Sequence, residues 1–280
     1  MKIRLVIAAL CLFCSSLQAQ VIAPEVPRSC VFAGQEINFD RDDLYERMDR
    51  ELLAFTYMHS TSIQILKRSA RVYAEVEPIL AKNGVPDDLK YLMTIESNLD
   101  PTAVSVAKAA GLWQFTKATA QMYGLEVNSE VDERYNTEKA TEAACAFLKK
   151  AYAEYGDWMT VAASYNAGRA GISDRVLKQR RTSALDLWMP KETMRYMFRI
   201  LAAKMMILDP ASFGFPNVEP YPVREPSEVV TVTGPVPSLV DFAEEHGVSY
   251  ASLKRANLWL RDSKLTNKEG RTYKIRIFSE

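Results

Sequence analysis

Apolar residues recur at helical spacing through most of residues 40–208, and this periodicity limits the fold of the region to packed helices. The clearest example is 137–155, where small and aromatic residues line one face. The alanines on that face allow a neighbouring helix to approach closely. Strand signals are scarce in the whole region. The sequence therefore predicts an all-α domain.

Several helix ends are recognisable in this region. Amphipathic stretches occupy 43–55 and 63–80, and we expect the second to be interrupted at Pro78, which lacks a backbone N–H. Asp157 is placed to cap a helix that Gly168 ends. Pro190 is placed to open the last helix of the region.

Composition changes sharply after Asp209. Five prolines within 210–226 predict a stiff, non-helical linker. Beyond it, strand and helix signals alternate in the order β-α-α-β, at 229–233, 238–246, 249–257 and 273–278. The predicted order is an N-terminal helical extension (20–60), a helical domain (61–209), the linker (210–227) and a small module (228–280).

The first 19 residues have the pattern of a secretory signal peptide. Lys2 and Arg4 precede an apolar run too short to span a membrane, and Ala19 ends a small-residue cleavage site. Removal of this segment would leave a net charge of −2, which excludes a large basic field for nucleic acid. We expect a periplasmic protein associated with the cell envelope. Lipid attachment at Cys11 or Cys14 remains an open alternative.

Cysteine and histidine give no indication of a metal site. Cys30 and Cys145 are the cysteines outside the signal peptide, and the sequence leaves open whether they pair. His59 and His246 lie far apart, without ligand spacing around either. The sequence also lacks a phosphate-binding glycine loop and a Gly-x-Ser-x-Gly elbow. We expect no metal, no cofactor and a monomer.

One acid interrupts the apolar pattern. In a helix predicted over 86–97, Leu89, Leu92, Met93 and Glu96 share one face. Burial of a charged carboxylate is unfavourable. Desolvation raises the pKa of a carboxyl group and makes it a proton donor near neutral pH. The alternative is that Glu96 reaches solvent or an arginine at the helix end.

Four stretches resemble the motifs of one enzyme family. In chain order they are Ile95-Glu96-Ser97, Gly111-Leu112-Trp113-Gln114-Phe115, Ser164-Tyr165-Asn166-Ala167-Gly168 and Glu192-Thr193-Met194-Arg195-Tyr196. With Asp132-Glu133-Arg134-Tyr135 they resemble the family 1 lytic transglycosylases, the soluble lytic transglycosylase domain of glycoside hydrolase family 23. The resemblance covers 63–208 and implies a lysozyme-like helical fold. It also implies cleavage of the β-1,4 bond between N-acetylmuramic acid and N-acetylglucosamine in peptidoglycan glycan strands, with formation of a 1,6-anhydromuramoyl end.

The resemblance implies that a single acid performs the chemistry. Glu96 would give a proton to the leaving glycosidic oxygen and then take one from the C6 hydroxyl of the sugar. Because that nucleophile belongs to the substrate, no second acid is needed to activate water. Other acids near the motifs are therefore interpreted as turn, surface or structural groups: Asp100, Glu126, Asp132 and Glu133. A hydrolytic muramidase and a non-catalytic peptidoglycan-binding protein remain alternatives.

The substrate-binding residues are assigned by their match to the family motifs. They are Ser97, Ser105, Trp113, Gln114, Tyr165, Asn166, Glu192 and Tyr196. We expect Tyr165 to hydrogen-bond the catalytic carboxyl, Ser105 to polarise the N-acetyl group, and Trp113 to stack on a sugar. Core packing is the alternative for Tyr165, and a helix N-terminal charge is the alternative for Glu192. Lys108 lies in a loop that departs from the family pattern.

The C-terminal module resembles a LysM peptidoglycan-binding domain. Residues 248–257 fit the second helix of that domain. The first loop differs, because 234–239 replaces the usual Gly-Asp-Thr-Leu. That loop normally contributes to glycan binding, so the sequence leaves open whether this module binds glycan or is a spacer.

Overall fold

The computed structural model describes residues 22–279, so the predicted signal peptide, with Cys11 and Cys14, lies outside the described residues. Most of what is described is helical, which confirms the predicted mainly α fold. The helices of the larger domain are α1 (Asp42–Tyr57), α2 (His59–Lys82), α3 (Leu89–Ser97), α4 (Lys117–Met122), α5 (Thr137–Tyr155), α6 (Trp158–Ala167), α7 (Arg169–Gln179) and α8 (Lys191–Leu208). Within residues 22–279, none of the helices is both long and apolar enough to cross a membrane.

The N-terminal segment, which we expected to be helical, contains a β-hairpin before its first helix. Strand β1 (Ser29–Phe32) pairs antiparallel with β2 (Gln35–Asn38). Ala33 and Gly34 form the turn, both with positive φ, as the favoured two-residue hairpin turns require. Phe32 is fully buried in the same core as the helices. The hairpin is therefore part of the larger domain.

Helix α2 is continuous across Pro78, so the predicted interruption is wrong. Proline removes one hydrogen bond to the carbonyl four residues earlier. However, Val76 and Leu80, on either side of Pro78, are fully buried in the helical core. Burial of this face on both sides of the missing bond keeps the helix intact.

The other predicted helix ends are confirmed. The side chain of Asp157 accepts a hydrogen bond from the N–H of Thr160 at 2.7 Å, which caps α6, and Gly168 follows the last residue of that helix. Helix α5 matches the predicted 137–155. Pro190 directly precedes α8, with Glu192 in the first turn.

Helix α8 occupies the centre of the larger domain. It packs against α1, α3 and α6. Its buried residues include Thr193, Tyr196, Met197, Phe198, Ile200, Leu201, Ala202, Ala203 and Met206. Because these residues point in several directions around the helix, different faces of α8 contact different neighbours.

The C-terminal module has the predicted β-α-α-β order. Its elements are β3 (Glu228–Val232), α9 (Leu239–Glu245), α10 (Tyr250–Ala256) and β4 (Tyr273–Ile277). Strands β3 and β4 pair antiparallel, with Val230 opposite Ile275. The module has its own apolar core, which includes Leu239, Leu253 and Ile275.

The module is joined to the larger domain by the loop 126–135. Val131 of this loop is buried in the core of the module. The N–H of Asp132 donates to the carbonyl of Trp259 at 2.9 Å, and the N–H of Arg261 donates to the carbonyl of Glu130 at 2.7 Å. Thr266 also donates to the Glu130 carboxylate through its N–H and hydroxyl, at 2.7 and 2.9 Å. These contacts fix the module against the larger domain.

The proline-rich segment between the two parts is anchored at its start. A 3-10 turn at Ala211–Phe213 interrupts the extended backbone. Phe213 and Phe215 are buried in the helical core. Further along, the N–H of Tyr221 donates to the carbonyl of Lys67 at 2.6 Å. The segment predicted as a stiff linker is thus bound along the surface of the helices.

The two cysteines of the described chain are free thiols, which answers the question that the sequence left open. Cys30 lies in β1 and Cys145 in α5. Burial raises the pKa of each thiol to about 12. Both are therefore protonated at neutral pH.

Candidate active site

Glu96 lies in the last turn of α3, at the end of the apolar face that the sequence predicts. The helix begins at Leu89, slightly later than expected, because 86–88 form a turn. Leu89, Leu92 and Met93 are fully buried. Glu96 continues this face but keeps some contact with solvent. The fold therefore brings a carboxyl group to the edge of an apolar core.

The carboxyl group of Glu96 has a neutral hydrogen-bond partner. The hydroxyl of Tyr196 donates to Oε1 of Glu96 at 2.5 Å. Burial raises the pKa of Glu96 from its ordinary 4.5 to about 7, while the Tyr196 bond and the charge of Arg199 act in the opposite direction. A carboxyl group with this pKa can hold a proton near neutral pH and release it.

Tyr165 does not make the hydrogen bond to Glu96 that we expected. Its hydroxyl donates to the carbonyl oxygen of Trp113 at 2.6 Å. Its ring packs against three aromatic rings, those of Trp113, Phe115 and Phe147. Burial and the nearby charge of Glu96 raise the pKa of Tyr165 well above its ordinary value. Tyr165 therefore positions the loop beside Glu96, and Tyr196 makes the bond to the carboxyl group.

The structure does not support two further expectations about substrate contacts. The Trp113 side chain is 0% exposed, and its Nε1 donates to Oγ1 of Thr141 at 2.9 Å. A ring enclosed in this way has no face on which a sugar can stack. Ser97 is buried as well, and its hydroxyl donates to the carbonyl of Met93 at 3.3 Å. Both side chains are used in the core.

Gln114 and Ser105 hold the loop that follows α3. The amide nitrogen of Gln114 donates to the carbonyls of Ala103 and Gly111, at 3.0 and 2.8 Å. Its amide oxygen has no hydrogen-bond partner among the described residues. Ser105 is exposed, and its hydroxyl oxygen accepts from the N–H of Ala109 at 3.1 Å. Each side chain therefore supports the loop, while the Gln114 amide oxygen and the Ser105 hydroxyl hydrogen stay available for a ligand.

The backbone around Glu96 is unusual. Asn98, Leu99, Lys108 and Gln114 all have positive φ, between 48° and 60°. Non-glycine residues rarely adopt this conformation, and it persists where the surrounding structure enforces it. Lys108, the departure from the family pattern, is one of these residues and is exposed. The loop is thus held in a fixed shape beside the carboxyl group.

Arg134 provides much of that support. Its guanidinium donates to the carbonyls of Lys108 and Phe115, at 2.8 and 3.2 Å, and is itself held by Asp132. Gly111 lies directly against the backbone of Arg134, so that a Cβ atom there would be 1.9 Å from the carbonyl oxygen. Glycine is therefore required at position 111, which also has φ of +75°.

Asn166 and Glu192 are placed where a ligand could reach them. Asn166 follows Tyr165 in α6 and is half-buried, and its side chain makes no hydrogen bond with the rest of the described chain. Glu192 is exposed in the first turn of α8, one turn before Tyr196 and on the same side of the helix. It forms no ion pair within residues 22–279, so the alternative of a simple helix N-terminal charge stays open.

Asp100 has a turn role. Its Oδ1 accepts from the N–H and hydroxyl of Thr102 at 2.9 and 2.6 Å, and its Oδ2 accepts from Arg68 at 3.3 Å. Burial is the strongest single influence and raises its pKa, but the Thr102 bonds and the charge of Arg68 together hold the pKa below its usual value. Asp100 is therefore ionised at neutral pH and cannot donate a proton.

The other acids considered near the motifs are also held by protein donors. Tyr273 donates to Glu126 at 2.8 Å, Arg134 to Asp132 at 2.7 Å, and the N–H of Glu126 to Glu133 at 2.8 Å. These contacts agree with their interpretation as structural groups.

Across residues 22–279, no cluster of three or more histidine, cysteine, aspartate or glutamate side chains could hold a metal ion.

Sequence reasoning missed Arg199. It lies in α8 three residues after Tyr196, and its charge lowers the pKa of Glu96. The helical spacing of Glu192, Tyr196 and Arg199 could have placed it on the face that meets α3.

Two parts of the chain match known domain families. Residues 77–187 match the Transglycosylase SLT domain, and residues 228–279 match the Soluble lytic transglycosylase C-terminal LysM-like domain. The first match includes Glu96 and ends before α8, so Tyr196 lies outside it.

Individual proteins are similar over different lengths. The chain is 26% identical to Membrane-bound lytic murein transglycosylase D of Escherichia coli (strain K12) over 245 residues, 84% of this chain and 52% of that protein. It therefore spans about half the length of that relative. It is 30% identical over 102 residues to a Putative tributyltin chloride resistance protein of Alteromonas sp. (strain M-1), 36% of this chain and 47% of that protein. Peptidoglycan transglycosylase gp16 of Escherichia phage T7 is 37% identical over 99 residues, 34% of this chain and 8% of that protein.

Proposed function

We propose that this chain, which contains a transglycosylase SLT domain and a LysM-like C-terminal domain, is a lytic transglycosylase that cleaves the glycan strands of peptidoglycan. The observation that carries the proposal is the state of Glu96. Its carboxyl group is desolvated, has a pKa of about 7 and is hydrogen-bonded by a neutral hydroxyl. The names of two similar proteins, a lytic murein transglycosylase and a peptidoglycan transglycosylase, support the same activity.

In the first step, protonated Glu96 donates to the glycosidic oxygen between N-acetylmuramic acid and N-acetylglucosamine, and the bond from C1 to that oxygen breaks. Tyr196 occupies Oε1, which leaves Oε2 to carry the proton. The Tyr196 bond becomes stronger when the carboxyl group loses its proton, since hydrogen bonds to charged acceptors are the stronger ones. Arg199 also favours the ionised form. Both residues therefore assist proton donation.

In the second step, the Glu96 carboxylate takes the proton from the C6 hydroxyl as O6 bonds to C1, which gives a 1,6-anhydromuramoyl end. The proton lost in the first step is thereby recovered, and no water is consumed. A nucleophile in the same sugar has a high effective concentration. Asp100, Glu126, Asp132 and Glu133 are all engaged by protein donors, so none of these four is free to activate a water.

Substrate contacts are proposed for the polar groups that remain available around Glu96. They are the amide oxygen of Gln114, the side chains of Asn166 and Glu192, and the exposed Ser105. We further propose that the protein acts in the periplasm at the cell wall, where the predicted signal peptide would direct it. The role of the LysM-like module in glycan binding depends on the atypical loop 234–239.

Product analysis tests the proposal. Purified peptidoglycan sacculi are digested with the wild-type protein and with Glu96→Gln, and the soluble fragments are identified by mass spectrometry. We expect anhydro ends from the wild type and none from the variant. Reducing ends would instead identify a hydrolytic muramidase. Binding to sacculi without any released fragment would identify a non-catalytic wall-binding protein.

A further inference from the structure

A groove of about 550 Å³ lies between α1 and the segment that leads into α8. One wall contains Arg47 and Arg50 of α1. The other contains Trp188 and the first residues of α8, including Lys191, Met194 and Arg195. Both walls lie outside the 77–187 match, although the second wall includes part of the fourth family motif, Glu192 to Tyr196. The α1 wall comes from the N-terminal segment, in which the sequence shows no motif.

The groove carries a surplus of positive charge. Four cations line it, and Glu51 is the acid among the residues that line it. Both oxygens of Glu51 accept from Arg195, at 2.7 and 3.2 Å. Arg50 forms a long ion pair with Glu51 at 3.8 Å, without a hydrogen bond, and Lys191 forms no ion pair within residues 22–279. Lys191, and Arg50 through its guanidinium nitrogens that do not face Glu51, are therefore available to an anionic ligand.

Trp188 forms an exposed apolar rim. Its side chain is 77% exposed, although the next residue, Met189, is buried. The side-chain amide of Gln179 holds its backbone through two hydrogen bonds, at 2.7 and 2.9 Å. A large aromatic ring presented to solvent on a fixed backbone is typical of a binding surface. Beside the cations, it suits a ligand with both carboxylate and aliphatic parts.

The groove is within reach of Glu96. Arg195 in the groove directly precedes Tyr196, which donates to Glu96. Lys191 lies about 7.5 Å from Tyr196 along the helix axis, at about 1.5 Å per residue. An extended peptide covers about 3.3 Å per residue. This axial distance is short enough for a peptide of a few residues, attached to a sugar at Glu96, to span.

We propose that this groove binds the acidic peptides that branch from the glycan strand, with Arg50 and Lys191 pairing their carboxylates and Trp188 covering their aliphatic parts. The inference rests on the proposed function, because it takes the glycan strand to lie at Glu96. Its consequence is that the enzyme prefers strands that carry peptides over bare strands.

Two substrates separate this role from a structural one. The substrates are glycan strands with their peptides and the same strands from which an amidase has removed the peptides. The cleavage rate on each substrate is measured for the wild type, for the double variant Arg50→Glu/Lys191→Glu and for Trp188→Ala. The control is Lys150→Glu, a single charge reversal of the same kind on an exposed position of α5. We expect the double variant to lose tenfold or more in kcat/KM on peptide-bearing strands, about 1.4 kcal/mol. Its rate on bare strands should change less than twofold.

An equal loss on both substrates, or no loss on either, would overturn the inference. If the wild type cleaves neither substrate, the proposed function is rejected. A direct binding measurement then still tests the groove inference. Binding of soluble N-acetylmuramyl tetrapeptide to Glu96→Gln is then compared with binding to the same protein carrying the groove substitutions or Lys150→Glu. Weaker binding with the groove substitutions alone supports the inference, and unchanged binding contradicts it.

Discussion

Glu51 and Glu96 lie against neighbouring faces of α8, and consecutive residues of that helix hold them. Arg195 donates to both oxygens of Glu51, at 2.7 and 3.2 Å. Tyr196 donates one hydroxyl bond to Glu96, at 2.5 Å. The Glu51 side chain is only 2% exposed, yet a cation compensates its charge. Glu96 has a neutral partner, and burial raises its pKa to about 7.

The comparison shows that the partner, as well as burial, decides what a buried acid can do. A carboxylate paired with a guanidinium is stable in its charged form and contributes to structure. A carboxyl group that meets only a hydroxyl and a more distant charge can exchange its proton near neutral pH. Four measurements test this distinction.

The largest effect is expected from removing the exchangeable proton. Glu96→Gln should reduce the rate of fragment release from sacculi by about 10³-fold, because proton donation by a positioned acid contributes on the order of 10²–10⁴. Glu51→Gln, the matched control, should retain the rate per folded molecule within a few-fold. The distinction fails if both variants lose activity equally, or if Glu96→Gln keeps a tenth of the rate.

The next effect concerns stability. Arg195→Met should lower the free energy of unfolding by about 3 kcal/mol, because the buried charge of Glu51 loses both hydrogen bonds and keeps only the longer contact with Arg50 at 3.8 Å. Adding Glu51→Gln should recover part of that loss. Lys178→Met, which removes an exposed pair with Asp174, should cost less than about 0.5 kcal/mol. Urea denaturation measures all of these, and equal losses for the Arg195 and Lys178 variants would contradict the comparison.

A smaller effect follows from the ionisation of Glu96 itself. Its folded-state pKa of about 7 lies above the ordinary 4.5, so stability is fully present below pH 4.5 and is lost as pH rises to 7. Glutamine does not ionise. At about 1.36 kcal/mol per pKa unit, Glu96→Gln should therefore be more stable than the wild type by up to about 3 kcal/mol at pH 8 and nearly equal at pH 4. Thermal unfolding at the two pH values measures this, and a pH-independent difference would show that Glu96 is not desolvated.

The smallest effect is expected at Tyr196. Its hydrogen bond lowers the pKa of Glu96, so Tyr196→Phe should raise that pKa and move the alkaline fall in rate to higher pH. The bond is worth about 1 kcal/mol, so the rate at pH 6 should change only several-fold. Tyr165→Phe is the control, because the Tyr165 hydroxyl bonds the Trp113 carbonyl instead. If the Tyr165 variant shifts the pH profile and the Tyr196 variant does not, the assignment is reversed.

Features that depend on local spacing could be predicted from the sequence. The apolar face of α3, the cap at Asp157 and the stop at Gly168 follow from short-range patterns, and the structure has them where they were predicted. The order of elements in the C-terminal module was predicted for the same reason. The raised pKa of Glu96 agrees with one of the two alternatives that its position on an apolar face left open.

Features that depend on tertiary contacts could not be predicted. Tyr165 and Tyr196 both belong to motifs on helices, and only the packing of α6 and α8 against α3 decides which hydroxyl meets Glu96. Trp113 has the same chemistry whether it stacks on a sugar or fills a core. The groove beside α1 is formed by segments more than a hundred residues apart, so no local pattern indicates it.

The loop 126–135 serves two parts of the molecule at once. On one side its Arg134 backbone lies against Gly111, and on the other its Val131 completes the core of the C-terminal module. The module therefore cannot be replaced as an independent domain. A foreign domain grafted in its place would leave Val131 uncovered and the bonds to Trp259 and Thr266 unmade, so the two parts have to be inherited and engineered as one unit.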